Sequence, residues 1–336
     1  MSTPPGRERR PVTRARAGAA PRVVALGGGH GLSSSLSALR LMTDHITAVV
    51  TVADDGGSSG RLRDELGVLP PGDLRMALAA LCDDTDWGRT WRDVLQHRFS
   101  SSGDLDRHAV GNLLIVALWE LLGDPVAGLD WVGRLLGARG RVLPMSDVPL
   151  SIEADVRRPD GSVDVVRGQA AVALTTDAIE HVRLVPDGAG ACSEAVDAVL
   201  DADWVVLGPG SWYTSVLPHL LLPGLREALH ETTARTIVTL NLAPEEHGET
   251  AGMHAEDYLE VLHAHAPDLR VHAVLADPAA VDDVAGLARR CESLGSALLL
   301  RQVGRGDGTP MHDPLRLAAA YRDVVDGTWG DVDRSR

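Results

Sequence analysis

The chain predicts a three-layer α/β fold, a mainly parallel sheet between helices with an inserted β-hairpin. Three observations point to it. Short apolar runs alternate with helical patterns along most of the 336 residues. Two of those runs break directly into glycine-rich loops that open helices, at residues 22–33 and 204–215. The turn Arg158-Pro159-Asp160-Gly161 separates two β-like runs, and strand–helix alternation resumes after it.

In chain order, residues 1–20 are rich in Arg, Pro and Ala and lack the hydrophobic centre of a signal peptide, so they are expected to form a disordered tail. Residues 21–330 are expected to form one domain, with the last few residues frayed. Residues 22–26 read as a buried parallel strand. A helix is expected from about Ser33, capped by Ser33 or Ser34. Residues 46–52 form the second strand, which completes a right-handed βαβ unit. Asp73 can cap a helix running through Leu81. Another helix is suggested near Trp91 and Leu95. Residues 112–122 are apolar nearly all round and predict a central buried helix. The hairpin occupies about 150–168 and is expected to project from the main sheet. Further strands are expected at 182–185, 204–207, 236–240, 271–275 and 297–303. Further helices are expected at about 193–200, 255–266, 279–294 and 314–325.

Composition narrows the function. A net charge of −15 argues against non-specific nucleic-acid or anionic-membrane binding. No apolar run approaches the roughly 20 residues that span a bilayer. Every basic residue is Arg, so no lysine is available as a phosphate clamp or Schiff-base former. Cys82, Cys192 and Cys291 lack close spacing and read as small buried residues of a reducing, cytoplasmic compartment. The histidines, His263 and His265 among them, have no metal-ligand spacing.

Five motifs can carry chemistry. GGGHGLS places Gly27, Gly28, Gly29, His30 and Gly31 at a strand–helix junction, where successive N–H groups can cradle an anion. Its spacing is neither a dinucleotide fingerprint nor a P-loop. At the end of the second strand, Asp54 and Asp55 precede the glycine turn beginning at Gly56. One acid can hold a ribose hydroxyl or ligate Mg²⁺ beside phosphate oxygens. Adjacent residues of an extended segment point to opposite sides, so only one of the two is expected to face a ligand, and Asp54 is nearer the strand end. The third motif is a second cradle, Gly208-Pro209-Gly210-Ser211, with the hydroxyls of Ser211, Thr214 and Ser215. Asn112, before the apolar helix, can read a base or sugar, or cap the helix. Last, the stretch NLAPEEHGET, residues 241–250, carries Asn241, Glu249 and Thr250, which can line the same crevice.

Together the pieces GGGHGLS, TVADDGGSSGRLRDELGVLPPGDLRMAL, VGNLL, RVLPMSDVPL, GPGSWYTSVLPHLLLPG and HGET resemble the bacterial gluconeogenesis factor family (YvcK type). Its wider superfamily is the CofD-like one, the 2-phospho-L-lactate transferases. The resemblance runs in order over nearly the whole chain beyond the tail. His30 stands where the family usually has Thr, and residues 243–247 replace a less acidic segment. The resemblance implies a Rossmann-like core that binds a nucleoside-diphosphate sugar, especially UDP-N-acetylglucosamine. The implied role is in cell shape and peptidoglycan precursor supply during gluconeogenic growth. The transferase branch instead implies Mg²⁺-dependent transfer of phospholactate onto a deazaflavin, with Asp54 or Asp55 on the metal. No cofactor is required by the first reading, and Mg²⁺ belongs to the second. A homodimer is also expected.

Overall fold

A computed structural model describes residues 20–242 and 248–327. The tail, the C-terminal residues beyond 327 and the acidic segment 243–247 lie outside the described residues. Seven parallel strands form the main sheet: β1 (Val23–Gly27), β2 (Ile46–Val50), β3 (Arg141–Pro144), then β7 (Trp204–Leu207), β8 (Arg235–Thr239), β9 (Ala273–Ala276) and β10 (Ala297–Leu300). Between β3 and β7 the chain builds a small antiparallel sheet from β4 (Ser151–Arg157), β5 (Val163–Arg167) and β6 (Ala178–Val185).

The main sheet has the order β10-β9-β8-β7-β1-β2-β3. From β1 the chain steps outward through β2 to β3. It then returns to the other side of β1 and steps outward from β7 to β10. The order therefore reverses between β1 and β7. Loops leaving the carboxyl ends of two such strands diverge and leave a crevice. Every residue of β1, β7 and β9 is buried, because parallel strands in this architecture are covered on both faces. That is why these strands read as continuous apolar runs.

Several elements differ from the sequence expectation. The first helix is Gly29–Leu39 and starts four residues earlier than expected. Gly28 is its N-cap, in extended conformation, and no side chain caps it. Ser33 and Ser34 lie inside the helix, where the Ser34 and Ser37 hydroxyls donate to carbonyls one turn back. The hairpin β4–β5 is present, but it pairs with β6 in a sheet of its own, and the strand expected at 182–185 belongs to that sheet. Short β3, with Pro144 at its end, is an edge strand without a recognisable sequence signal. The helix Val110–Leu122 buries Ile115, Val116 and Trp119 but leaves Leu121 79% exposed. It is thus a surface-packed helix, and not the central one expected. The helix expected at 279–294 splits into a 3₁₀ turn, Pro278–Ala280, and the helix Val284–Ser293. All three cysteines are free and buried. No described helix is long and apolar enough to cross a membrane.

The loops after β1 and β7 touch at one point. A Cβ on Gly31 would lie 2.1 Å from the Pro209 carbonyl oxygen and 2.6 Å from the Gly210 Cα. Backbone cannot yield there as a side-chain tip can. Gly31→Ala should therefore lose roughly 1–3 kcal/mol or more. Gly103→Ala, where an added Cβ meets nothing within 4 Å, should stay within about 0.5 kcal/mol of the parent. Urea unfolding of both variants checks this, and equal stabilities would refute the contact.

Candidate functional site at the strand-order switch point

The crevice floor is made by the first turn of the helix Gly29–Leu39. Its first intrahelical acceptor is the Gly28 carbonyl, which takes the Leu32 N–H. No acceptor among the described residues takes the N–H of His30 or Gly31. These donors carry the partial positive charge of a helix N-terminus. Gly29 has φ +57 and His30 is exposed. Gly27 ends β1 and is packed against Leu32. A Cβ on Gly28 would fall 2.5 Å from both the Asp73 carboxylate and the Thr51 methyl, so part of the glycine richness serves close packing.

Asp73 is the acid that sequence spacing alone did not place. It does not cap its own helix, Pro71–Leu81, whose N-cap is Pro70. Its carboxylate instead lies against the Gly28–Gly29 backbone. Burial pushes Asp73 up to about 7, the charge of Asp54 adds to this, and the Gly29 N–H and Arg75 oppose it. Asp54 is also raised, first by burial, against the stabilising Gly56 N–H and Ser59 hydroxyl. Asp54 closes the glycine turn, accepting the Gly56 N–H at 2.9 Å. Asp55 points elsewhere and accepts the Ala170 N–H at 2.9 Å, at the start of the helix Gln169–Leu174. The adjacent acids therefore serve two different sites.

Asp54 and Asp73 are two desolvated carboxylates, the oxygen donors that a divalent cation takes. Magnesium takes one or two carboxylates and completes its shell with water and substrate phosphate. Asp54 and Asp73 would supply those carboxylates. No cluster of three or more His, Cys, Asp or Glu suited to a metal exists among the described residues.

The second cradle is already filled by protein groups. Asn241 pairs with both backbone groups of Gly210, accepting from its N–H at 2.9 Å and donating to its carbonyl at 3.1 Å. Glu249, buried, accepts the N–H groups of Tyr213 at 2.9 Å and Thr214 at 3.4 Å. These residues open a π-helical turn, Trp212–Val216. An internal carboxylate therefore sits where an external anion was expected. Thr214 is 0% exposed and Thr250 is buried, so neither presents a hydroxyl to a ligand; Ser215 is buried as well. Ser211 is partly exposed and remains the loop's candidate hydroxyl. Gly208, at φ +73, gives its carbonyl to the Ser35 hydroxyl at 2.9 Å. Ser35 and Thr239 both bond the buried Tyr321 hydroxyl, at 2.9 and 3.0 Å, which fixes the loop to the C-terminal helix Pro314–Asp326.

Asn112 is neither the helix N-cap nor open to the crevice. Ala109 is the N-cap, and Asn112 is 1% exposed. Its Oδ1 accepts from Arg75 Nε at 2.9 Å and its Nδ2 donates to Ser58 Oγ at 3.0 Å. Ser58 Oγ also lies 3.0 Å from His108 Nδ1. With Asn112 donating to it, Ser58 can give its proton to His108. This buried chain holds the helix Gly57–Leu66, which follows the acid turn, against two neighbouring helices. His265 is half-buried and stacks on His181, with centroids 6.2 Å apart, while His263 is exposed.

Comparisons with known proteins agree with this architecture. The family described as 2-phospho-L-lactate transferase CofD matches residues 23–293. A "Putative gluconeogenesis factor" of Mycobacterium tuberculosis is 53% identical over 311 residues, covering 91% of this chain and 89% of that protein. The "Gluconeogenesis factor" of Bacillus subtilis is 38% identical over 248 residues, covering 74% of this chain and 76% of its own. A crystal structure of a UPF0052-family protein from Bacillus halodurans superposes with a TM-score of 0.79 at 33% identity, covering 89% of this chain and 98% of that one.

The acid pair makes stability depend on pH. Asp73 titrates near 7 in the folded protein and in the ordinary carboxylate range when unfolded. Between those values the folded state holds a proton that the unfolded state has lost. Stability present below about pH 4 is therefore lost as pH rises through 7. Asp73→Asn should leave stability near pH 4 unchanged and raise it at pH 8 by roughly 1–3 kcal/mol. Denaturant titrations at the two pH values measure this. An equal change at both would remove Asp73 as the titrating group.

Proposed function

The chain belongs to the gluconeogenesis factor family within the CofD-like superfamily, and from that premise we propose that it is a nucleoside-diphosphate-sugar-binding regulatory protein. Its ligand class is that of UDP-N-acetylglucosamine. Its role is to couple carbon supply to peptidoglycan precursor formation and cell shape during gluconeogenic growth. A cytoplasmic location and a homodimer belong to the same proposal. The observation that carries it is the helix start between β1 and β7, where the N–H groups of His30 and Gly31 have no acceptor among the described residues and the Asp73 carboxylate lies against the Gly28–Gly29 backbone. Such a helix start suits a diphosphate.

The acids refine the reading. A diphosphate next to two carboxylates meets like charge unless a cation or proton lies between them. Asp54 and Asp73 would be the residues to hold Mg²⁺, which would supply the positive charge that offsets this repulsion. This departs from a sensor whose acid accepts only sugar hydroxyls. Thr214 and Asn112 are left out of the ligand site because their side chains are buried.

A second reading is favoured by one specific observation. The same acid pair fits the metal of a phospholactate transferase, and the matched family carries that description. Transfer from a guanosine-diphosphate ester to a deazaflavin, followed by chromatography of the product, separates the two.

The test of the first reading is calorimetric titration with UDP-N-acetylglucosamine, with Mg²⁺ or with a chelator. Affinity should fall roughly tenfold or more on chelation, the scale of one charge-assisted interaction. Asp54→Asn should lose that metal dependence. Binding of GDP in preference to the UDP-sugar, with turnover of the deazaflavin, would replace the sensor by the transferase.

A further inference from the structure

Beyond the acid turn, the start of the helix Gly57–Leu66 opens into a cleft of about 590 Å³ lined by Gly57, Ser58, Arg61, Arg98, Asp106 and Arg107. Three guanidiniums face one carboxylate in a chain whose net charge is −15. None of the three arginines has a carboxylate partner within ion-pair distance among the described residues. Arg61 donates to the carbonyls of Asp104 and Asp106, at 3.0 and 2.6 Å, and so ties down the loop that carries the other two. Arg98 donates to the Arg107 carbonyl at 2.9 Å. The Asp106 carboxylate is engaged by the Ser101 N–H. Arg107 itself makes no side-chain hydrogen bond or ion pair among the described residues.

Arg107 is also the one described non-glycine residue with positive φ, at 65°. That conformation costs an L-residue energy, and glycine would take it freely. The surrounding loop enforces it: Arg107 N–H bonds the Phe99 carbonyl, and Phe99 N–H bonds the His108 carbonyl, at 2.9 and 3.1 Å. A strained arginine with an unengaged head at the mouth of a cationic cleft points to an anion. The cleft adjoins the crevice. Ser58 lines it, and the next residue, Ser59, hydrogen-bonds Asp54. It lies on the β2 side of β1, opposite the β7 loop.

We propose that this cleft receives a carboxylate carried by the sugar end of the crevice ligand, so that the protein prefers nucleoside-diphosphate sugar acids to neutral nucleotide sugars. The proposal rests on the assignment of the crevice to nucleotide sugars. Arg107 is the residue that makes the distinction, with Arg98 and Arg61 supplying the field.

The test uses UDP-glucose and UDP-glucuronate, which differ in one group, a hydroxymethyl against a carboxylate. In calorimetric titrations of the full chain with Mg²⁺, UDP-glucuronate should bind roughly tenfold tighter. Arg107→Gly relieves the backbone strain, so it should melt at the same temperature as the parent or higher, yet bring the ratio of the two affinities to about one. Arg107→Gln should do the same to the ratio. If UDP-glucose binds and UDP-glucuronate is no tighter, this proposal fails while the nucleotide-sugar assignment stands. If neither binds, the assignment itself fails. Unchanged preference in both Arg107 variants, or saturation of the cleft by inorganic phosphate with no preference for the sugar acid, would also overturn the carboxylate.

Discussion

Two carboxylates are held away from water, Asp73 against the first turn of the helix Gly29–Leu39 and Asp54 in the glycine turn after β2, and the surrounding glycines are arranged to tolerate them. Burial makes their charge costly, and the charge of Asp54 adds to the cost at Asp73. The relief comes from backbone: the Gly29 N–H for Asp73 and the Gly56 N–H for Asp54. Glycine at position 28 lets Asp73 approach, because any larger residue would meet its carboxylate. Gly72 does the same on the other side, where a Cβ would fall 2.3 Å from the Ser59 hydroxyl and 3.2 Å from Asp54. The glycines of this region are thus tied to an electrostatic arrangement as much as to turns.

The opposite wall solves a related problem by different means. The π-helical turn after β7 begins with exposed dipoles, and Glu249 answers them from a distant part of the chain. The result is an asymmetric crevice, with open donors on the β1 side and satisfied donors on the β7 side. Under the proposed function, a ligand's negative charge belongs near His30 and Gly31. The β7 loop contributes shape, the partly exposed Ser211 and a fixed position set by Asn241.

Much of the fold was legible in the sequence because burial on both faces writes parallel strands as apolar runs. β1, β2 and β7 stand out for that reason, as do the glycine loops that follow β1 and β7. Where the reading failed, the cause was usually a partner far away in sequence. The first helix begins at Gly29 because an acid 44 positions later supports its N-terminus, while local rules favour a Ser cap. Asn112 looks like a cap or a reader, yet Arg75 and Ser58 consume its amide. Thr214 follows a phosphate-like loop, but Glu249 takes the backbone donors and the turn buries the hydroxyl. β3 is four residues long, and β6 reads as a main-sheet strand until β4 is seen to pair with it. Of the adjacent acids, alternation along an extended chain was enough to separate their directions.

Tyr321 gives the crevice a history as well as a shape. Its hydroxyl joins Ser35, in the first helix, to Thr239, at the end of β8, and Ser35 in turn holds the Gly208 carbonyl. During synthesis the β1 and β7 loops leave the ribosome long before Tyr321 does. Until then the Ser35 and Thr239 hydroxyls lack this buried partner, and the groove that the C-terminal helix fills is open to water. The growing chain can pair its strands in order, but it completes this brace only once the helix Pro314–Asp326 has emerged and docked. A chain without that docked helix therefore lacks the brace that holds the Gly208 loop through Ser35.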